Sequence, residues 1–227
     1  VSEWPFDGLE RGKYGAILAD PPWRFATWNK ATAVQKRGSK TAYFASVAHY
    51  STMTMPEMTA LPVADIAARD CVLFMWIVWP MLSDAMALIS AWGFEYKTCA
   101  FAWMKADASQ VDLFADAITP RMLMGYWTRA NSEVCLLATR GKPKRQHADV
   151  RQGIVEPVRD HSRKPDCIHD RIERLVAGPY VELFARQSTR PGWEFWGNET
   201  TKFGGEDAAT AAERGSGKVV TGSHPPR

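Results

Sequence analysis

The stretch AILADPPWRF, residues 16–25, ends an apolar run on an acid, two prolines and a tryptophan. Asp20 offers a carboxylate acceptor. Pro21 and Pro22 carry no N–H, and their fixed φ holds the intervening carbonyl in place. A strand that simply turns could end the same way, because Asp and Pro are common turn residues and Trp23 could fold back over the core. One reaction needs the whole set: methylation of an exocyclic amine on a base. The amino nitrogen of adenine is a poor nucleophile because its lone pair is delocalised into the ring. Hydrogen bonds from both amino hydrogens, to the Asp20 carboxylate and the Pro21 carbonyl, would localise that pair while Trp23 stacks on a flipped-out base. In-line transfer from the sulfonium of S-adenosylmethionine then asks for positioning and electrostatics, and for no metal.

Such a tip needs a strand to present it. YGAILAD (14–20), CVLFMWIV (71–78), FEYKTCAFAWMK (94–105), EVCLLATR (133–140) and YVELFAR (180–186) read as strands, with a weaker one at GIVEPVR (153–159). Several are unbroken apolar runs, the pattern of strands covered on both faces. Residues 80–92 and 165–177 read as helices, each opened by a proline and closed by Gly93 or Gly178. In the second, Ile168, Ile172, Leu175 and Val176 share one face. This alternation predicts an α/β fold, a mostly parallel sheet with helices on both faces. The long connections 24–52 and 106–125 both follow strand C-termini, where an open α/β sheet binds its ligand. Residues 1–202 are expected to form a single domain, and 203–227, rich in Gly, Ala, Ser and charge, a flexible or loosely docked tail.

Composition narrows the class. The chain has 227 residues, 46% hydrophobic and 23% charged, which argues against wholesale disorder and against a membrane protein. Its longest apolar run, CVLFMWIVW, is too short to span a bilayer. Ten tryptophans are costly to place; most are expected to fill the core and a few to stack on a planar ligand such as a nucleobase. Cys71, Cys99, Cys135 and Cys167 lack zinc-like spacing and read as reduced thiols. With an opening, VSEWPFDGLE, unlike a basic-then-apolar leader, a cytoplasmic location is expected. His161, Cys167 and His169 fit no standard metal spacing, so no metal is expected. The net charge of +3 decides little, but residues 140–164 are rich in bases. Arg140, Lys142, Lys144 and Arg145 are therefore expected on substrate phosphates, although a solvated loop has the same composition. No Gly-x-Gly-x-x-Gly follows a strand, which argues against a dinucleotide dehydrogenase.

DPPW also has company. HYSTMT (49–54), AWGFEYKT (91–98), NSEVCLLATRGKPK (131–144), RDHSRKPD (159–166), VELFAR (181–186) and RPGWEFWGNE (190–199) follow it. With these blocks, in this order, the chain resembles the adenine N(6)-methyltransferases, a family that includes the catalytic subunit of the eukaryotic mRNA methyladenosine writer and phage and bacterial relatives. The resemblance implies a Rossmann-like, S-adenosylmethionine-dependent methyltransferase fold, circularly permuted, with Asp20 and Arg186 on neighbouring strand tips. It implies that Asp20, Pro21, Pro22 and Trp23 form the catalytic and base-binding motif, Asp20 and Pro21 also bordering the cofactor. It sets Glu133 near the target adenosine and Lys164 at the methionine carboxylate of the cofactor. It sets Arg186 at the cofactor ribose, Asn198 and Glu199 at its ribose and adenine end, and His49 and Tyr50 on the substrate side. Taken without the family, Lys164 before Pro165 at a helix start suits either a carboxylate site or an exposed lysine, and Arg186 suits an ordinary strand-end charge. Glu133 suits a surface strand start, and Asn198 with Glu199 a polar turn. Residues 106–127 match the family only loosely, which leaves target specificity open. The extra RNA-binding regions of the eukaryotic writers have no counterpart in this sequence. DNA is therefore the expected partner, RNA adenosine the alternative, and a catalytically silent nucleic-acid-binding subunit a third reading. A short or relaxed target, read by residues 24–52 and 141–152, is expected, with monomer and homodimer both open.

Overall fold

In the computed structural model, residues 4–24, 52–106, 127–159, 163–186 and 190–197 are described. Seven strands form one sheet: β1 (Tyr14–Ala19), β2 (Ala67–Ile77), β3 (Glu95–Ala106), β4 (Ser132–Arg140), β5 (Gly153–Pro157), β6 (Tyr180–Leu183) and β7 (Trp193–Trp196). Their order is β5-β3-β4-β2-β1-β6-β7. β1 pairs in parallel with β2 and β6, β6 with β7, and β3 with β5. β4 runs antiparallel between β2 and β3. The C-terminal ends of six strands and the start of β4 therefore share one edge of the sheet.

The unbroken apolar runs follow from cover on both faces. On one face, Ile17, Ala19, Leu73, Met75 and Ile77 pack against Met58, Val63, Ile66, Leu88 and Trp92. Those partners come from α1 (Met55–Thr59), α2 (Val63–Ile66) and α3 (Leu82–Ala91) with its C-cap. On the other, Ala16, Leu18, Val72, Phe74 and Trp76 pack against Ile168 and Ile172 of α4 (Cys167–Leu175). Each large side chain so enclosed contributes about 1.5–3 kcal/mol. The architecture is the mixed α/β, mostly parallel sheet that the sequence predicts, consistent with a Rossmann-like methyltransferase fold.

Several boundaries differ from the sequence expectation. β2 begins at Ala67, well before Cys71. The expected helix at 80–92 is a 3-10 turn, Trp79–Met81, followed by α3. α4 stops at Leu175 because Val176 becomes extended and bridges to Arg145. β6 stops at Leu183, since Phe184 takes φ 60° and turns the chain. α1 is set by a capping box in which the Thr54 N–H donates to Glu57 Oε2 at 2.6 Å and Thr54 Oγ1 accepts from the Glu57 N–H at 3.4 Å. β7 is locked onto α4: Arg190 Nε and Trp193 Nε1 both donate to Glu173 Oε1, at 2.9 and 2.7 Å. The tail 203–227 lies outside the described residues.

Candidate active site

Asp20 is the first residue beyond β1. Ala19 is in register with Leu183 of β6, and the Asp20 N–H points to the Leu183 carbonyl at 3.4 Å. Asp20 and Arg186 thus leave adjacent parallel strands at the same edge, as expected. Between these tips and α4 lies an open cleft, whose walls include Asp20, Trp76, Lys164, Glu182, Phe184 and Arg186.

Four charges cluster where Asp20 and Lys164 meet the cleft. Lys164 Nζ stands 2.7 Å from Asp20 Oδ2 and 3.4 Å from Glu133 Oε2, and Lys105 Nζ closes on Glu133 Oε1 from the other side. All four side chains are largely buried, yet the set is electrically neutral. Burial alone would lower the pKa of Lys164, but the charges of Asp20 and Glu133 outweigh it and raise that pKa. Burial would likewise raise that of Glu133, and Lys164 and Lys105 reverse the sign, holding its carboxyl below the ordinary value of 4.5. Glu133 reaches this edge because β4 runs backwards and begins there. Lys164 arrives in the segment between β5 and α4. Deeper in the cleft, His169 Nε2 and Glu182 Oε2 share a hydrogen bond of 2.7 Å, and the His169 ring meets the Trp193 ring edge-on at 4.6 Å between centroids. Among the described residues no three potential metal ligands come together.

The motif itself is folded differently from the sequence expectation. Trp23 is 3% exposed, and its Nε1–H donates to the Trp76 carbonyl at 3.0 Å. Its ring belongs to the core on the α1–α3 face, so it presents no open surface to a stacked base. The reason is the returning chain: Trp23 bridges Met53, and the Pro22 carbonyl accepts from the Met53 N–H at 3.2 Å. Trp23 therefore anchors the tip. The Pro21 carbonyl accepts the Trp23 N–H at 2.7 Å, which leaves one of its two lone pairs for another donor.

The basic run is also displaced from its expected place. Arg140 pairs with Cys71 near the beginning of β2, whereas Val134 pairs with Ile77 at its end. Six residue steps of extended chain, roughly 20 Å, separate the two edges. Arg140 donates to the Ala64 carbonyl, the Lys142 N–H to Asp70 Oδ1 at 2.7 Å, and Arg145 bridges Val176 beneath α4. Arg140, Lys142, Lys144 and Arg145 therefore belong to the edge of the sheet remote from Asp20. His49, Tyr50, Asn198 and Glu199 lie outside the described residues.

Sequence reading passed over Lys105 and Trp79, and weighed His169 only as a metal ligand. Lys105 could have been found as the cation that closes a strand. Trp79 could have been found as a tryptophan placed directly after a buried strand and before a proline.

The family description MT-A70 matches residues 14–199, which include every element from β1 to β7. This chain belongs to the MT-A70 family. Among MT-A70 relatives, the type II methyltransferase M.MunI of Mycoplasma sp is 35% identical over 203 residues, 86% of this chain and 81% of its own. The N(6)-adenosine-methyltransferase catalytic subunit METTL3 of Homo sapiens is 29% identical over 192 residues, 83% of this chain and 28% of its own. A putative N(6)-adenosine-methyltransferase MT-A70-like protein of Medicago truncatula is also 29% identical over 192 residues, which make up 26% of its length. The chain thus spans about four fifths of the Mycoplasma relative and little more than a quarter of the two eukaryotic ones.

Proposed function

We propose that this MT-A70 methyltransferase transfers a methyl group from S-adenosylmethionine to the 6-amino group of adenine in DNA. The observation that carries the reading is the Asp20 carboxylate, projected from the β1 tip into the cleft and held there by Lys164 at 2.7 Å. The cleft suits that cofactor. Arg163, Lys164 and Arg186 supply cations for an amino-acid carboxylate, and Asp166 and Glu182 supply acceptors for ribose hydroxyls and an ammonium. The Trp76 Nε1–H, buried with no hydrogen-bond partner among the described residues, adds a donor on a residue of the same wall.

The bound cofactor would supply an electrophilic methyl on a sulfonium. Asp20 and the remaining lone pair of the Pro21 carbonyl accept the two amino hydrogens of adenine and so localise the nitrogen lone pair. Lys164 must release Asp20 Oδ2 for this, and Glu133, already 3.4 Å from the same ammonium, keeps the cation paired when it does. When the amine takes up the methyl group that the cofactor would supply, Asp20 would take the proton that leaves the amine. We further read residues 1–202 as one methyltransferase unit. Its DPPW strand comes first and its cofactor-side strand β6 late, the order a circularly permuted sheet would have.

DNA is preferred because the likeness to the type II methyltransferase extends over most of both chains. The N(6)-adenosine named for the eukaryotic relatives favours RNA as the second reading. Incubation with labelled S-adenosylmethionine and matched DNA and RNA, followed by digestion to nucleosides, distinguishes them. Label in N(6)-methyldeoxyadenosine is expected, lost in Asp20→Asn while S-adenosylhomocysteine binding by calorimetry persists. Turnover retained in Asp20→Asn would overturn the role of Asp20, and label confined to RNA would replace the substrate.

A further inference from the structure

The burial of Trp23 leaves the expected base-stacking surface unassigned, and a different tryptophan meets the requirement. Among the described tryptophans only Trp79 and Trp127 are exposed, at 51% and 94%. Trp127 lies in the approach to β4, whose start is at the Asp20 edge. Trp79 follows the end of β2 at that same edge. Its Nε1–H donates to Ser132 Oγ at 3.3 Å, which fixes the ring against the first residue of β4. The next residue is Glu133, whose carboxylate faces Lys164.

We propose that the exposed face of Trp79 stacks on an unpaired nucleobase of the substrate strand, a reading that rests on the proposed nucleic-acid methylation. A half-exposed indole forfeits burial that Trp23, Trp76, Trp92, Trp103 and Trp193 obtain, and a flat partner restores it without demanding a particular sequence. The ring is pinned by its N–H, so its orientation is set before the base arrives. The apolar strip continues from Trp79 into Leu82 and Met86 of α3, at 38% and 37% exposure, and, beyond Ser132, into its register partner Met104 and then Val155. A nucleobase is the occupant argued for because Trp79 stands at the edge that carries Asp20, and protein association along the strip is the competing outcome of the test.

The test compares wild type, Trp79→Ala and Trp79→Phe on single-stranded adenine-containing DNA, with calorimetric binding of S-adenosylhomocysteine and sedimentation measured in parallel. Loss of one base–aromatic stack corresponds to about a five- to hundredfold rise in the KM for DNA. That rise is expected in Trp79→Ala and largely restored in Trp79→Phe, with cofactor affinity and sedimentation unchanged. An unaltered KM in Trp79→Ala, or a change in sedimentation in its place, would overturn the proposal; the second outcome would assign the strip to protein association. A 2-aminopurine oligonucleotide gives a readout independent of turnover. Fluorescence quenched by wild type and not by Trp79→Ala supports stacking even if no methyl is transferred, in which case the functional reading alone fails. Methyl transfer with equal quenching by both proteins sinks the stacking inference alone.

Discussion

Glu133→Gln keeps the shape of the side chain and removes one charge from a neutral quartet, so its effect can be worked out in advance. At the observed Lys164–Glu133 separation of 3.4 Å, the attraction of two unit charges is roughly 5 kcal/mol at an effective dielectric near 20. The amide still accepts a hydrogen bond, and solvent reaches part of both side chains, so the observable loss is expected at about 1–3 kcal/mol. Urea denaturation followed by circular dichroism at pH 7.5 measures it. The pH dependence supplies the sharper check. The pKa of Glu133 is depressed in the folded protein, so its stabilisation is fully present above the ordinary carboxylate value of 4.5 and is lost as pH falls through the lower folded value. Carboxylates that do not share Lys164 are common to both proteins and cancel. The stability gap between wild type and Glu133→Gln should therefore be widest near neutrality and close in acid. A gap that is absent at pH 7.5, or equally wide at pH 3.5, would refute the idea that Glu133 is held ionised by Lys164 and Lys105.

Two further outcomes test the geometry. A Cβ at Gly197 would stand 2.5 Å from the Ala185 carbonyl oxygen, where the exits of β6 and β7 meet beside Arg186. Gly197→Ala is expected to cost about 1–3 kcal/mol and to weaken S-adenosylhomocysteine binding, read by thermal melting and calorimetry. The double variant Lys142→Ala, Lys144→Ala should leave the KM for nucleic acid unchanged, because both residues lie at the remote edge; a marked rise in KM would return that run to the substrate interface.

The sheet was legible because its strands are long apolar runs and because α4 carries Ile168 and Ile172 on one face. The site was legible in part. Asp20, Lys164 and Glu133 converge, but their mutual pairing depends on a tertiary arrangement that no spacing reveals. What misled the reading of residues 140–145 is direction: EVCLLATR has the same apolar content whichever way it runs, and only its antiparallel pairing with β2 sends Arg140 away from Asp20. Trp23 misled for a different reason. Its position after two prolines suits a surface ring, whereas the bridge to Met53 draws it inward. α1 was within reach, since the Thr54-x-x-Glu57 pattern with Pro56 is a helix-start signal. β7 was not, being only the four residues WEFW held by β6 and α4.

The reversed course of β4 has a consequence for how the acid is held. A residue carried on a connection takes its position from that connection, but Glu133 sits inside a strand hydrogen-bonded to neighbours on both sides. Its pairing with Lys164 is therefore set by the sheet rather than by the chain that precedes β4. One inverted strand ties the charge cluster to the most rigid part of the molecule.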